Sequence, residues 1–212
     1  MTLLVVFDVD STLIQQEVIE LLADGAGVRQ EVHEVTEMAM AGGLDFSLSL
    51  KLRVSLLAGL DSSYIQKVIS EIVVTPGVLE LIASIHSAGG KVAAVSGGFM
   101  EILDPLSKKL NLDYWQANTL EIAEGKLTGK VQGEIIDRAA KAKYLKIWAE
   151  DIGVELAQTV AVGDGANDLD MFSVAGLAVA FRAKPIVRDA ADYVIEENSM
   201  LGLIKILGLS AS

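Results

Sequence analysis

A chain of 212 residues, 51% of them apolar and with a mean hydropathy of +0.44, suits one ordinary domain or one domain with a small insertion, and argues against disorder. A formal charge of −12 repels nucleic acid and anionic membrane, so neither is expected as a partner. Without cysteine there are no disulfides or thiolate metal sites, no apolar run reaches the length of a membrane span, and the N-terminal apolar stretch lacks a basic flank, so a cytoplasmic setting is expected.

The chain begins with LLVVFDVD. Leu3 to Phe7 is an unbroken apolar run, the pattern of a strand buried on both faces of a parallel sheet. It stops on Asp8 and Asp10. Acids at the end of a buried strand call for a cation, a metal or solvent, because an unpaired buried carboxylate is costly. Residues 13–72 then read as helical, broken at Gly25, Gly27, Gly42-Gly43 and Gly59, with Asp45 and Asp61-Ser62-Ser63 as caps. This is an insertion after the first strand, expected to lie over that strand's end. Residues 1–12 and 73–212 are expected to form the main body.

From Thr75-Pro76-Gly77 onward strand and helix alternate. A helix over 78–86 precedes the strand Lys91–Val95, which is expected to end on Ser96-Gly97-Gly98 before a helix from Phe99. Alternation over 114–122, a turn at Glu124-Gly125-Lys126 and the run 127–131 read as a β-hairpin. Asp137 caps a helix over 138–150. The run 159–162 is a further buried strand ending on Asp164, Asn167 and Asp168, and shorter strands follow at 177–180 and 193–195. The fold class expected is α/β, a doubly wound parallel sheet with a small helical cap inserted after its first strand.

Right-handed crossovers put the three strand-end clusters on one edge of such a sheet. Clustered carboxylates suit a hard cation such as Mg²⁺. Glycines beside Ser96 let backbone N–H groups approach phosphate oxygens, and a lysine adds a point charge. Along 46–57, Phe46, Leu50, Arg53 and Leu57 lie near one helical face, so Arg53 sits on an apolar seam, as a ligand clamp would.

DVDST, SGG, a lysine and GDGAND, in that order, resemble the haloacid dehalogenase superfamily of aspartate-nucleophile phosphatases. VVFDVDSTL, VSGGF, KLTGKV and VAVGDGANDLDMF, with Glu17 and Arg53 in the helical stretch, are similar to its phosphoserine phosphatase family over essentially the whole chain. The resemblance implies Asp8 as nucleophile and Asp10 as general acid and base. It implies Mg²⁺ on Asp8, Asp164 and the Asp10 carbonyl, and Ser96, Gly97, Lys141 and Asn167 around the phosphoryl group, with Asp168 supporting Lys141. Arg53 and Glu17 would grip the carboxylate and ammonium of O-phospho-L-serine, with Met40 and Phe46 packed over it. Glu20 lies one turn from Glu17, and Lys143 neighbours Lys141. The same core could instead act on another small phosphomonoester such as phosphohomoserine; a receiver-type signalling module is the non-enzymatic alternative. His33, His86, Trp115 and Trp148 read as packing or surface residues, Lys184-Pro185 as a turn, and Gly42-Gly43 with Thr75-Pro76-Gly77 as cap hinges. Nothing in the pattern specifies an oligomeric state.

Overall fold

The computed structural model describes residues 2–40 and 44–210. Its centre is β1 (Leu4–Phe7), fully buried and paired in parallel with β2 (Lys91–Phe99) on one side and β5 (Thr159–Gly163) on the other. β3 (Tyr114–Ala123) extends the sheet beyond β2. β6 (Leu177–Phe181) and β7 (Tyr193–Ile195) extend it beyond β5, all in parallel. β4 (Lys126–Gln132) returns antiparallel along β3, giving the order β4-β3-β2-β1-β5-β6-β7. The expected parallel α/β sheet is present, and the predicted hairpin forms its outer edge.

Alternation along β1 builds both faces of the core. Val5 and Phe7 join one apolar cluster; Leu4 and Val6 join the other. The first cluster takes in α5 (Val78–Ser87), α6 (Met100–Leu110) and α10 (Leu201–Ile206); the second takes in α7 (Arg138–Asp151) and α8 (Leu169–Val174). Each fully buried aliphatic or aromatic side chain contributes about 1.5–3 kcal/mol. Trp148 packs between Tyr114 and Tyr144, a core role as expected. Lys184 and Pro185 open the one-turn helix α9 (Pro185–Arg188), also as expected.

Among the described residues, four helices make up the insertion between β1 and α5: α1 (Val18–Ala26), α2 (Arg29–Met40), α3 (Phe46–Ser55) and α4 (Tyr64–Glu71). Asp45 caps α3 by accepting from Leu48 N at 2.9 Å. Leu22, Leu50, Val54, Leu57, Ile65 and Val68 share the apolar cluster of β1 and α6, so the insertion packs on the body of the molecule. It also docks on the hairpin through backbone bonds: Gly59 N to Leu127 O at 2.8 Å, Leu127 N to Leu60 O at 2.9 Å and Ser62 N to Gly125 O at 2.8 Å. Gly129 makes the close approach possible. Its φ is +85°, and a Cβ there would lie 3.0 Å from the Ala58 Cβ.

Two expectations need correction. β2 does not end at Val95: pairing with β3 resumes at Phe99, so Ser96-Gly97-Gly98 is a bulge within the strand and α6 starts only at Met100. His86 is not isolated, because the turn after α6 brings Asp113 Oδ2 to 2.8 Å from its Nε2. Thr75-Pro76-Gly77, expected as a cap hinge, is held by backbone bonds in this structure. Thr75 N donates to Leu13 O, Met200 N donates to Pro76 O, and the Gly77 Cβ position lies against Leu201. Gly42-Gly43 lie outside the described residues.

Candidate active site

Asp8 leaves β1 with its N–H still bound to Val162 O at 2.8 Å. The chain then makes a wide turn closed by Ile14 N on Val9 O at 3.0 Å, with Ser11 in the left-handed region at φ +57°. The turn aims the Asp8 carboxylate at the sheet edge, where it accepts from Val9 N at 2.7 Å. Lys141, on the second turn of α7, is completely buried and reaches Asp8 Oδ1 at 2.7 Å and Asp168 Oδ1 at 2.8 Å. Lys143 instead pairs with Glu134 at the surface, so of the two lysines only Lys141 enters the site. Asp168 Oδ2 also accepts from Gly165 N at 3.1 Å. Asp168 occupies the space of a Gly163 side chain: a Cβ at 163 would fall 2.2 Å from its Oδ2, so only glycine fits at the end of β5.

Oxygens of Asp8, Asp164 and Asp168 lie within 4.8 Å of one another. Burial, then the charge of Asp8, pushes Asp164 and Asp168 up to about 7. Asp10 is raised well above the usual carboxylate range by burial, then by Glu17 and Asp8. Its Oδ2 accepts from Val18 N at 3.3 Å, while its Oδ1 is buried with no partner. Burial lowers Lys141, but Asp168 and Asp8 outweigh it and keep the ammonium charged. One lysine among four acids leaves excess negative charge on hard oxygen donors. That donor set fits a bound metal ion.

The bulge of β2 faces this cluster. Ser96 is buried, and its Oγ accepts from Gly98 N at 2.8 Å. A Cβ on Gly98 would lie 3.0 Å from Ser96 Oγ and 3.5 Å from Asp10 Oδ2, placing these two groups side by side. A Cβ on Gly97 would lie 3.0 Å from the Phe46 ring, so α3 of the insertion lies against the bulge. Asn167 is half-buried in the turn before α8, its Oδ1 against Gly165.

Glu17 Oε1 accepts from Ser11 Oγ at 2.7 Å, whereas Glu20 pairs with Arg29 away from the site. Burial, then Asp8 and Glu20 against the Ser11 bond, raises Glu17; burial lowers Arg53, while Glu17 and Asp10 oppose that. Arg53 Nε donates to Ser49 O at 3.3 Å, and the guanidinium makes no ion pair among the described residues. A half-buried cation, Arg53, and an exposed anion, Glu17, thus flank the acid cluster with no ion pair between them. The Met40 side chain lies outside the described residues.

Sequence reasoning missed part of the surroundings. A cavity of about 280 Å³ beside Asp164 is lined by Ser11, Gln15, Thr75 and Arg182. Thr12 Oγ1 donates to Asp164 Oδ1 at 3.3 Å. Arg182 stands at the end of β6, the same position along a strand that singled out the other site residues. Attention to that position, rather than to Lys184, would have found it.

The family model of the haloacid dehalogenase-like hydrolases matches residues 5–173. The chain belongs to that family. It is 55% identical over 98% of its length to a phosphoserine phosphatase of Streptomyces coelicolor, of which it spans 50%. It is 52% identical over 96% of its length to one of Streptococcus thermophilus, of which it spans 95%. A solved structure described as a phospho-aspartyl intermediate analogue of phosphoserine phosphatase superposes with a TM-score of 0.92 at 45% identity, covering 97% of this chain and 98% of that one. The chain therefore matches the whole of some relatives and about half of another.

Proposed function

We propose that this chain is a phosphomonoesterase that hydrolyses O-phospho-L-serine to L-serine and phosphate, the last step of serine biosynthesis, through a phosphoryl group carried on Asp8. The observation that carries the reading is the contact of Lys141 with Asp8 at the end of β1, beside an Asp10 whose Oδ1 has no partner. The two relatives named above and the phospho-aspartyl structure support the same chemistry.

Asp8 Oδ attacks phosphorus in line as the bond from phosphorus to the serine oxygen breaks. Lys141 offsets the repulsion between a carboxylate and a phosphate dianion. Asp10, which burial and its acidic neighbours lead to hold a proton more tightly than an ordinary carboxyl, gives that proton to the departing serine oxygen. As a carboxylate it then takes a proton from water, the water oxygen attacks phosphorus, and Asp8 is released. The Ser96 hydroxyl, the Gly97 N–H and Lys141 hold the phosphoryl oxygens, with Asn167 at their edge and Asp168 orienting the lysine. The carboxylates of Asp8 and Asp164 and the Asp10 carbonyl would hold Mg²⁺, which would supply positive charge to offset that of the phosphoryl group. Arg53 meets the substrate carboxylate and Glu17 its ammonium; Phe46 excludes water. The chemistry is that of a cytoplasmic biosynthetic enzyme, and no described helix is long and apolar enough to cross a membrane.

The test is phosphate release from O-phospho-L-serine and from an aryl phosphate, for the parent and Arg53→Ala. Loss of roughly 10²-fold in kcat/KM on phosphoserine, with aryl phosphate within about 3-fold of the parent, is expected for a clamp on the substrate's far end. A parent that hydrolyses aryl phosphate and ignores phosphoserine would remove the substrate assignment.

A further inference from the structure

The ladder between β2 and β3 is regular up to Val95 opposite Gln116 and resumes at Phe99 opposite Asn118. Ser96, Gly97 and Gly98 therefore stand opposite Ala117 alone, and their backbone groups lose their regular partners. The Asn118 side chain replaces them. Its Nδ2 donates to Gly97 O at 2.9 Å and to Gly98 O at 3.3 Å. Its Oδ1 accepts from Ile136 N at 2.8 Å, two residues before the helix that carries Lys141. The Ile136 bond fixes which end of the amide faces the bulge, because a backbone N–H can meet only the oxygen. The residue is 1% exposed.

The peptide between Gly97 and Gly98 is thus held at both ends. Asn118 holds its carbonyl, and Ser96 Oγ accepts its N–H at 2.8 Å. Because Ser96 accepts that bond, its own hydroxyl proton is left to be donated elsewhere. A peptide between two glycines turns over with little steric resistance. Turned over, it would present the Gly97 carbonyl to Ser96, which would donate its proton there and lose it to any substrate.

We infer that Asn118 is a positioning residue of the phosphoryl-transfer site: it fixes the Gly97–Gly98 peptide so that the Ser96 hydroxyl stays directed at the phosphoryl group. The inference rests on the reading of Ser96 as a phosphoryl-binding group. No other side-chain type does the same at this size, since the position needs a donor for two carbonyls and an acceptor for an N–H.

The test is a double-mutant cycle of Asn118→Leu with Ser96→Ala, read as kcat and KM on both O-phospho-L-serine and an aryl phosphate, with folded fraction taken from thermal melts. Asn118→Leu is expected to lower kcat roughly 30-fold on both substrates, with KM for phosphoserine within about 3-fold of the parent. On the Ser96→Ala background the same substitution should cost under about 3-fold, because its effect passes through Ser96. A fully folded Asn118→Leu with unchanged kcat, or costs that add completely, would overturn the inference. If the leucine variant does not fold, Asn118→Asp, which keeps the size and the bond from Ile136, enters the same cycle and is judged by the same criteria. A parent active only on aryl phosphate removes the substrate assignment and leaves the cycle readable on that substrate. A parent active on neither removes the phosphatase reading itself.

Discussion

Carboxylates meet both ends of β2, the half-buried Asp113 at its start and the acid cluster at its far end, and their surroundings differ. At its start Asp113 accepts from Lys91 Nζ at 2.7 Å, Val92 N at 2.9 Å and His86 at 2.8 Å. Burial pushes its carboxyl up, but those donors outweigh burial and hold it below the usual value. At the far end Asp8, Asp10, Asp164 and Asp168 share Lys141. The donors fall short there, and three of those acids are raised. A carboxylate with a full set of donors fastens a strand to its neighbour. Carboxylates left short of donors are poised to take a cation or keep a proton, which is what phosphoryl transfer uses.

The sharpest way to break the contrast is at the far end. Asp8→Asn removes the nucleophile, and phosphate release should fall by roughly 10⁴-fold or more while the fold survives, since an amide fills the same space. Lys141→Met should lower kcat by about 10²–10³-fold. It should also cost about 3–5 kcal/mol in urea unfolding, because Asp8 and Asp168 are left as buried charges without a partner. A Lys141→Met protein as stable as the parent would contradict the claim that this lysine carries the charge balance.

The raised acids also predict a pH dependence with a definite sign. Between about pH 4, where they titrate when unfolded, and about 7, where Asp164 and Asp168 titrate when folded, the folded state binds more protons. Metal-free stability should therefore fall as pH rises through that window. Added Mg²⁺ should raise the melting temperature more at pH 8 than at pH 5, and Asp164→Asn should shrink that difference. Asp113 has the opposite sign. Its stabilisation is present above about pH 4 and is lost as pH falls through its depressed folded value. Asp113→Asn should cost about 1–3 kcal/mol near pH 7 and leave kcat unchanged; a change in kcat would join two regions that the structure keeps apart.

Much of this was legible in the sequence because it is local. The apolar run into Asp8, the glycine-rich end of β5, and the turn at Glu124-Gly125 state their structure within a few residues. Pattern alone did not distinguish Lys141 from Lys143, or Glu17 from Glu20. Lys141 is selected by which face α7 buries, and Glu17, at the start of α1, by the turn that brings Ser11 to it; both are tertiary matters. The bulge at Ser96 was hidden because it depends on where β3 resumes pairing. His86 with Asp113, and Asn118 with Ile136, are pairs brought together by chain crossings that no local period records.

The central claim is that Asp8 carries the phosphoryl group. Its most direct test is to mix the protein with O-phospho-L-serine labelled in the phosphoryl group, quench with acid during turnover, and map the label on the peptides. The account predicts an acid-stable, hydroxylamine-sensitive label on the peptide containing Asp8, absent from Asp8→Asn. Steady turnover with no label on that peptide under a quench fast enough to trap it, or a label that persists in Asp8→Asn, would contradict it.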